Sequence, residues 1–173
     1  MESERLLLRP WNEDDAEALY QYASDHRVSE LALWPQHTSI DMSREVIRNI
    51  FMPNQHLYAI VLKDTSEPIG SIGLVPEGFE HYATDCFERE AGYWIGHPYW
   101  NKGLTTEALG LLINYCRESL HLDSLLITTD TRNSASMRVA EKCGFKYIGE
   151  YVYEGISGKA FRLRLNDRQT PYQ

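Results

Sequence analysis

The sequence is poor in cysteine and has no long apolar segment. Its three cysteines, Cys86, Cys116 and Cys143, are odd in number and lack CxxC spacing, so neither a disulfide framework nor a metal site is expected. No stretch approaches the roughly 20 apolar residues of a membrane span, and the start MESERLLLRP is too briefly apolar for a signal peptide. These absences predict a cytoplasmic protein that acts without a membrane.

Basic residues are also in the minority. The chain has 17 Lys and Arg against 25 Asp and Glu, which gives a formal net charge of −8. This balance disfavours non-specific binding to nucleic acid, because the phosphate backbone attracts basic surfaces. It mildly favours cationic substrates such as amines, although solubility alone would also explain an acidic protein.

The length and periodicity predict one domain over residues 1–173, with a core from about 5 to 165 and a loose tail after it. Apolar patterns and turn residues predict the main elements. The predicted strands are Arg5–Pro10, Leu57–Leu62, Ile69–Val75, Arg89–Ile95, Leu125–Thr129, Tyr147–Tyr153 and Lys159–Leu165. One helix is expected after Asn12, with Asp15 completing a capping box, and another from Ser43. The apolar residues between positions 25 and 38 recur with no clear helical or strand period.

The stretch Gly92–Tyr115, GYWIGHPYWNKGLTTEALGLLINY, predicts a strand, a turn and a helix that starts near Gly103. A helix start has unpaired backbone N–H groups, and no carboxylate lies between Trp100 and Thr106, so this turn suits an anion. Neither GxxxxGK[ST] nor GxGxxG is present. A single glycine before a helix is also ordinary turn chemistry, and that alternative stays open.

A second segment, Asp130–Phe145, reads DTRNSASMRVAEKCGF. Asn133 or Ser134 is expected to cap a helix whose apolar positions recur at helical spacing. Gly144 is expected to end this helix, with Phe145 folding back onto it.

The two segments together resemble the acetyl-coenzyme A (acetyl-CoA) site of the GNAT N-acetyltransferase superfamily, and specifically its RimJ/RimL-like branch, which acetylates protein N-terminal and other primary amines. RLLLRPWNEDDAEALY also resembles the opening strand and helix of that branch, so the likeness runs from Arg5 to about Leu165. It implies a mixed α/β fold: a twisted, mainly antiparallel sheet flanked by helices, with acetyl-CoA wedged between two splayed central strands. The sequence departs from the pyrophosphate turn [QR]xxGx[GA] at Trp100 and Thr105, and from a frequent tyrosine general acid at Ala140.

The resemblance implies a set of donor-binding residues. The main chain of Tyr93, Trp94 and Ile95 would pair with the pantetheine arm, and Asn133 would bind its amides, although capping alone would explain Asn133. The pyrophosphate would lie on the turn formed by Trp100, Asn101, Lys102, Gly103, Leu104 and Thr105.

Acyl transfer to an amine needs a neutral amine and a proton for the departing thiolate. Glu90, two residues before Gly92, and Glu154, just before Gly155, are the candidate proton acceptors. Ser136 is the candidate hydroxyl at the thiolate. Glu90 could instead be a solvated strand residue, and Ser136 an ordinary first-turn serine.

The expected function is an acetyl-CoA-dependent N-acetyltransferase that acts on a primary amine, with a protein N-terminal α-amine as one acceptor class. The alternatives are acetylation of a small amine, such as a polyamine, an antibiotic or an amino acid, and a non-catalytic acyl-CoA sensor. The expected acceptor-side loops, Asp25–Ile40 and Pro76–Glu88, carry no recognised signature. His81 in the second loop is expected to be solvated, with a catalytic role as the less favoured alternative. A homodimer stays open.

Overall fold

The computed structural model describes residues 1–82 and 85–166. The strands are β1 (Leu6–Arg9), β2 (Leu57–Leu62), β3 (Glu67–Leu74), β4 (Glu88–Ile95), β5 (Ser124–Asp130), β6 (Lys146–Tyr153) and β7 (Ile156–Arg164). The α-helices are α1 (Ala16–Ala23), α2 (His26–Ala32), α3 (Ile40–Val46), α4 (Leu104–Glu118) and α5 (Ser134–Lys142). The predicted loose tail lies outside the described residues, apart from Asn166.

The strands form a seven-stranded sheet in the order β1-β2-β3-β4-β5-β7-β6. The pairs β1–β2, β2–β3, β5–β7 and β6–β7 are antiparallel. The pair β4–β5 is parallel, and its register runs from Glu88 opposite Ser124 to Ala91 opposite Ile127. The predicted mixed α/β fold with a mainly antiparallel sheet is therefore confirmed.

The chain divides into two compact units. The first unit contains residues 1–74 and 92–111, and the second contains residues 75–91 and 112 onward. This division does not test whether the chain is a single domain, so the single domain stays a prediction. Among the described residues, none of the helices combines the length and apolar character that crossing a membrane requires.

The first unit has a core built around α1 and the β1–β3 strands. Buried Trp11, Leu19 and Ile47 belong to this core, together with Ala59 and Val61 of β2. The predicted capping box is present before α1: the side chain of Asn12 accepts a backbone hydrogen bond, and Oδ2 of Asp15 accepts from the backbone N–H of Asn12 over 3.1 Å. The direction of the chain after β1 is thus set by a local signal.

Two helix predictions in the first unit were wrong or incomplete. The helix expected from Ser43 begins earlier, at Ile40, because the Ser39 hydroxyl caps it by accepting from the backbone N–H of Met42. Ser43 is instead fully buried, with its hydroxyl 2.7 Å from Nδ1 of His37. Helix α2 was not predicted, since it is short and its sequence has no clear apolar period.

The second unit has a core of β5 and β7 side chains with the end of α5. Leu125, Leu126 and Phe161 are buried there, together with Phe145, whose backbone N–H donates to the carbonyl of Ala140 as the C-cap. Strands β6 and β7 are joined by a two-residue turn, Glu154-Gly155, in which both residues have positive φ. That conformation suits the twist of a tight hairpin.

We expect Gly70→Ala to destabilise the protein, because β3 approaches β4 closely at this point. A Cβ at Gly70 would lie 2.4 Å from the carbonyl oxygen of Trp94 and 2.9 Å from Cα of Ile95, both of which are backbone atoms. The expected cost is about 1–3 kcal/mol in the free energy of unfolding. Gly110→Ala is the control: its Cβ would meet nothing within 4 Å, so it should stabilise α4 by about 0.5–1 kcal/mol. Denaturant unfolding of both variants measures these changes, and an unaffected Gly70→Ala protein would contradict the close approach.

Candidate active site

The turn between β4 and α4 has a defined backbone shape. Asn101 and Gly103 both adopt left-handed conformations, with φ of 60° and 75°, and α4 begins at the next residue, Leu104. Trp100 is tied back to the strand because its indole Nε1 donates to the carbonyl of Ile95 over 2.9 Å. The helix therefore starts sharply, as the sequence predicted.

An ion pair controls the charge at the start of α4. Glu107 is the acidic residue of the first turn. Nε of Arg5 donates to Oε2 of Glu107 over 2.7 Å, and the Ser3 hydroxyl donates to Oε1 over 2.6 Å. Burial alone would raise the pKa of Glu107, but these hydrogen bonds and the charge of Arg5 outweigh it and lower the pKa. The first turn of α4 thus holds a carboxylate whose charge is balanced by Arg5.

Arg5 also approaches the turn itself, and sequence reasoning missed this role. Its Nη1 donates to the carbonyl of Lys102 over 3.1 Å, and Nη2 lies 3.7 Å from where a Cβ of Gly103 would be. Lys102 leans over the ring of Tyr99, with Nζ 5.4 Å from the ring centroid. Two cationic side chains therefore lie close to the turn: Lys102 from the turn itself and Arg5 from the start of the sequence.

The residues at the end of β4 are held mainly by side-chain packing. Ile95 is buried, and the ring of Trp94 lies 6.5 Å from that of Trp11 and 5.7 Å from that of Trp34. Trp94 and Trp34 both pack against the core cluster of the first unit. The side chain of Trp94 is therefore used in packing within the first unit.

In the second unit, Asn133 caps α5. Its Oδ1 accepts from the backbone N–H of Ser136 over 3.0 Å, and its own N–H donates to the carbonyl of Asp130 over 2.9 Å. Ser136 is half-buried in the first turn of the helix. Ala140, the position at which the sequence departs from a tyrosine general acid, is fully buried. A phenolic general acid from position 140 is therefore absent.

Glu90 is buried, so the alternative of a solvated strand residue was wrong. Its side chain is 2% exposed and accepts three hydrogen bonds. The backbone N–H of His81 donates to Oε2 over 2.7 Å, and Nδ1 of the same residue lies 2.7 Å from Oε1. The Thr128 hydroxyl donates to Oε1 over 2.5 Å. Buried carboxylates require such donors, because an unpaired charge is costly to desolvate.

His81 is therefore not the solvated loop residue that the sequence suggested. The hydrogen bond with Glu90 raises its pKa; burial opposes this shift, and the charges of Glu90 and Glu154 support it. Glu154 is exposed at the tip of the β6–β7 hairpin. The structure thus joins Glu90 to His81 by hydrogen bonds, and the charge of Glu154 adds to the raised pKa of the same histidine. No periodic pattern could have shown the Glu90–His81 contact, since His81 lies in an irregular loop.

The predicted residues fall into two sets. The donor-binding residues at the end of β4 and the start of α4 belong to the first unit, and Glu90, Asn133, Ser136 and Glu154 belong to the second. Among residues 1–82 and 85–166, no group of three or more His, Cys, Asp or Glu side chains is placed to hold a metal ion.

A model of the acetyltransferase (GNAT) domain matches residues 5–146. The chain belongs to the GNAT family. It is an N-acetyltransferase by that membership and by its similarity to an uncharacterized N-acetyltransferase, p20, of Bacillus licheniformis. That relative is 29% identical over 151 residues, which cover 85% of this chain and 82% of the relative.

Solved structures of GNAT proteins share the fold. A candidate ribosomal-protein-serine acetyltransferase from Vibrio cholerae has a TM-score of 0.76 at 27% identity, covering 94% of this chain and 95% of that one. The spermidine N-acetyltransferase of Vibrio cholerae, in complex with CoA and spermine, has a TM-score of 0.76 at 16% identity, covering 94% of this chain and 97% of that one. The second likeness shows the fold alone.

We expect Asn133→Ala to lower the free energy of unfolding by about 1 kcal/mol, because the first turn of α5 loses its cap. Asn133→Ser should retain most of the stability, since a serine hydroxyl can accept the same backbone hydrogen bond. Thermal or denaturant unfolding compares the two variants. Equal losses in both would show that the cap contributes little and that Asn133 serves another purpose.

Proposed function

We propose that this N-acetyltransferase is of the RimJ/RimL-like type and transfers an acetyl group from acetyl-CoA to a primary amine, with a protein N-terminal α-amine as the acceptor class. Transfer occurs by direct attack within a ternary complex. The observation that carries the proposal is the start of α4, where Arg5 balances the charge of Glu107 beside a left-handed turn. The 27% identity to the candidate ribosomal-protein-serine acetyltransferase supports the acceptor class. A cytoplasmic location and a homodimer remain predictions.

The pyrophosphate of acetyl-CoA would bind to the main chain from Trp100 through Thr105. The first N–H groups of a helix have no partner within the helix, and the helix dipole favours an anion at this end. The balanced charge of Glu107 supports this assignment, because an unpaired carboxylate in the first turn would repel phosphate. Lys102 and Arg5 would add attraction at long range.

The pantetheine arm would run along the main chain of Tyr93, Trp94 and Ile95. The packing of Trp94 against other tryptophans supports a main-chain role for this segment. Asn133 would bind the pantetheine amides through its amide N–H₂, since its Oδ1 is already used in capping α5. No metal is needed for this chemistry.

The reaction needs one proton removed from the amine and one supplied to sulfur. We assign removal of the amine proton to a set of side chains that includes Glu90 or Glu154. The hydroxyl of Ser136 would donate to the thiolate as it leaves. Both carboxylates act on the same histidine, which supports one shared proton-transfer group in the second unit.

A second candidate acceptor is a small polyamine, as in the spermine complex of the Vibrio cholerae enzyme. The net charge of −8 favours cationic acceptors of either kind. Thiol release from acetyl-CoA should be measured with peptides that have free N-termini, with spermidine and spermine, and with aminoglycosides and amino acids. Peptide-dependent release supports the proposal, polyamine-dependent release supports the second candidate, and acetyl-CoA binding without release would support a sensor.

We expect Gly103→Glu to weaken acetyl-CoA binding by several kcal/mol, because it places a side chain and a negative charge at the phosphate position. Gly103 has a φ of 75°, so any side chain there is strained. Gly103→Ala is the matched control, carrying the strain of about 1–2 kcal/mol without the charge. Calorimetric titration with acetyl-CoA measures both. If the two variants bind equally, charge at this turn is unimportant and the pyrophosphate lies elsewhere.

We expect Ser136→Ala to lower turnover by about tenfold to ten-thousandfold with little change in acetyl-CoA affinity, since its hydrogen bond strengthens as charge develops on sulfur. Steady-state rates and acetyl-CoA binding are measured together. Ser134→Ala, in the same helical turn, is the control and should leave turnover near wild type. A loss of affinity without a loss of turnover would assign Ser136 to binding.

A further inference from the structure

A histidine–carboxylate pair lies in the second unit and includes a residue with no role assigned so far. Glu90 is 2% exposed and fixed on β4, whereas the side chain of His81 is 31% exposed. Two hydrogen bonds join these residues, one from the backbone N–H and one through Nδ1 of His81. Thr128 holds Oε1 of Glu90 from β5. The imidazole is therefore positioned by a carboxylate that is itself held by two strands.

The hydrogen bonds define which ring nitrogen can take a proton. Two donors, the backbone N–H of His81 and the Thr128 hydroxyl, reach the two oxygens of Glu90, which suits an ionised carboxylate that accepts at both. Nδ1 of His81 is then the donor, so a neutral imidazole has its lone pair on Nε2. Among the described residues, the hydrogen bonds of His81 use its backbone N–H and Nδ1 and none uses Nε2.

We propose that His81 accepts the amine proton through Nε2 and that Glu90 is a positioning residue that orients and supports the imidazole. This inference rests on the proposed function and narrows its proton-transfer group to one side chain. A carboxylate that orients a histidine base and stabilises its charged form is an arrangement that other acyl-transfer enzymes use. Glu90 is less suited to direct proton transfer, because its two oxygens already accept three hydrogen bonds and it is almost inaccessible.

The substrate ammonium gives one proton to Nε2 of neutral His81, and the imidazolium later releases it to solvent. The amine nitrogen attacks the thioester carbonyl, so that a C–N bond forms and the C–S bond breaks. The Ser136 hydroxyl donates its proton to the departing thiolate. The second amine proton then passes from the nitrogen to the serine oxygen and restores the hydroxyl. The products are an amide and free CoA thiol.

The surroundings of His81 set the pH range of this base. Glu90 and Glu154 are the carboxylates that act on it, and Tyr153 and Tyr151 face it with ring centroids at 4.6 Å and 6.4 Å. The hydrogen bond with Glu90 and the two negative charges raise the pKa of His81 above 6.5. Only the neutral imidazole is a base, so activity should be lost as pH falls through this raised pKa.

The test is the pH profile of kcat/KM with the best amine of the acceptor panel. His81→Gln keeps a side chain that can hydrogen-bond to Glu90 but removes the titrating nitrogen. We expect it to lower kcat/KM by about 10²- to 10⁴-fold and to abolish the acidic limb assigned to His81. In Glu90→Gln the imidazolium loses its carboxylate, so we expect a lower rate and an acidic limb at lower pH.

A second measurement needs no acceptor. Titration of the His81 imidazole by NMR should give a pKa above that of an ordinary histidine in the wild type, and a lower one in Glu90→Gln. Glu88→Gln is the matched control: Glu88 is an equally buried carboxylate on the same strand, but it binds Arg162 and Ser124. Loss of the Glu88 charge should reduce the free energy of unfolding without moving the pKa of His81 or the pH profile of kcat/KM.

The outcomes separate this inference from the proposed function. If His81→Gln retains the wild-type rate and acidic limb, His81 is not the base, while acetyl transfer by the wild type still stands. If the NMR pKa of His81 does not move in Glu90→Gln, the pair is not coupled and the inference is overturned. If the wild type binds acetyl-CoA but acetylates no amine, the proposed function fails and the inference fails with it.

Discussion

The burial of two carboxylates on one face of β4 constrains much of the second unit. Glu88 and Glu90 are both 2% exposed, and their i, i+2 spacing places them on the same side of the strand. An ionised group can be buried only if donors replace its water, because the desolvation penalty is several kcal/mol per ion. Ser124 and Arg162 supply those donors to Glu88, whereas His81 and Thr128 supply them to Glu90. Strands β5 and β7 and the loop before β4 must therefore all lie where their side chains can donate to these two carboxylates.

The two carboxylates have different consequences because their donors differ. Arg162 is permanently charged, so its two-point contact with Glu88 is a structural ion pair at any ordinary pH. The imidazole of His81 can gain or lose a proton and its pKa is raised, so its contact with Glu90 depends on pH. When the pair loses a proton, Glu90 keeps the hydrogen bond from Nδ1 and Nε2 becomes a base. The same burial on the same strand can therefore support stability at one position and proton transfer at the next.

The parts of the fold that sequence reasoning predicted are those with local signals. The Asn12–Asp15 capping box, the strands β2 and β5, and the start of α4 each depend on residues within a few positions of one another. Helix α2 was missed because seven residues offer too few turns for an apolar period, and its cap at Asp25 was the only signal. The helix start at Ile40 was missed because either Ser39 or Ser43 could have capped it.

The contacts of the candidate site that were missed are those that depend on tertiary structure. Nothing in the sequence indicates that Glu107 is paired with Arg5, 102 residues away. Likewise, nothing in the spacing of His81 and Glu90 distinguishes a solvated loop histidine from one held by a buried carboxylate. Such pairs follow from which strands are neighbours, and the order of strands is not encoded in periodicity.

The departure of the pyrophosphate turn from the family pattern can be assessed from these contacts. Trp100 occupies a position where a glutamine or arginine is usual, and its indole N–H is used on the carbonyl of Ile95. Trp100 therefore helps to fix the shape of the turn and adds no charge to it. Arg5, from the segment just before β1, brings a guanidinium near Gly103, where it is paired with Glu107. This ion pair leaves no unbalanced carboxylate in the first turn of α4, and Lys102 lies in the turn as a further cation. The altered motif alone is then a weak argument for a sensor without turnover.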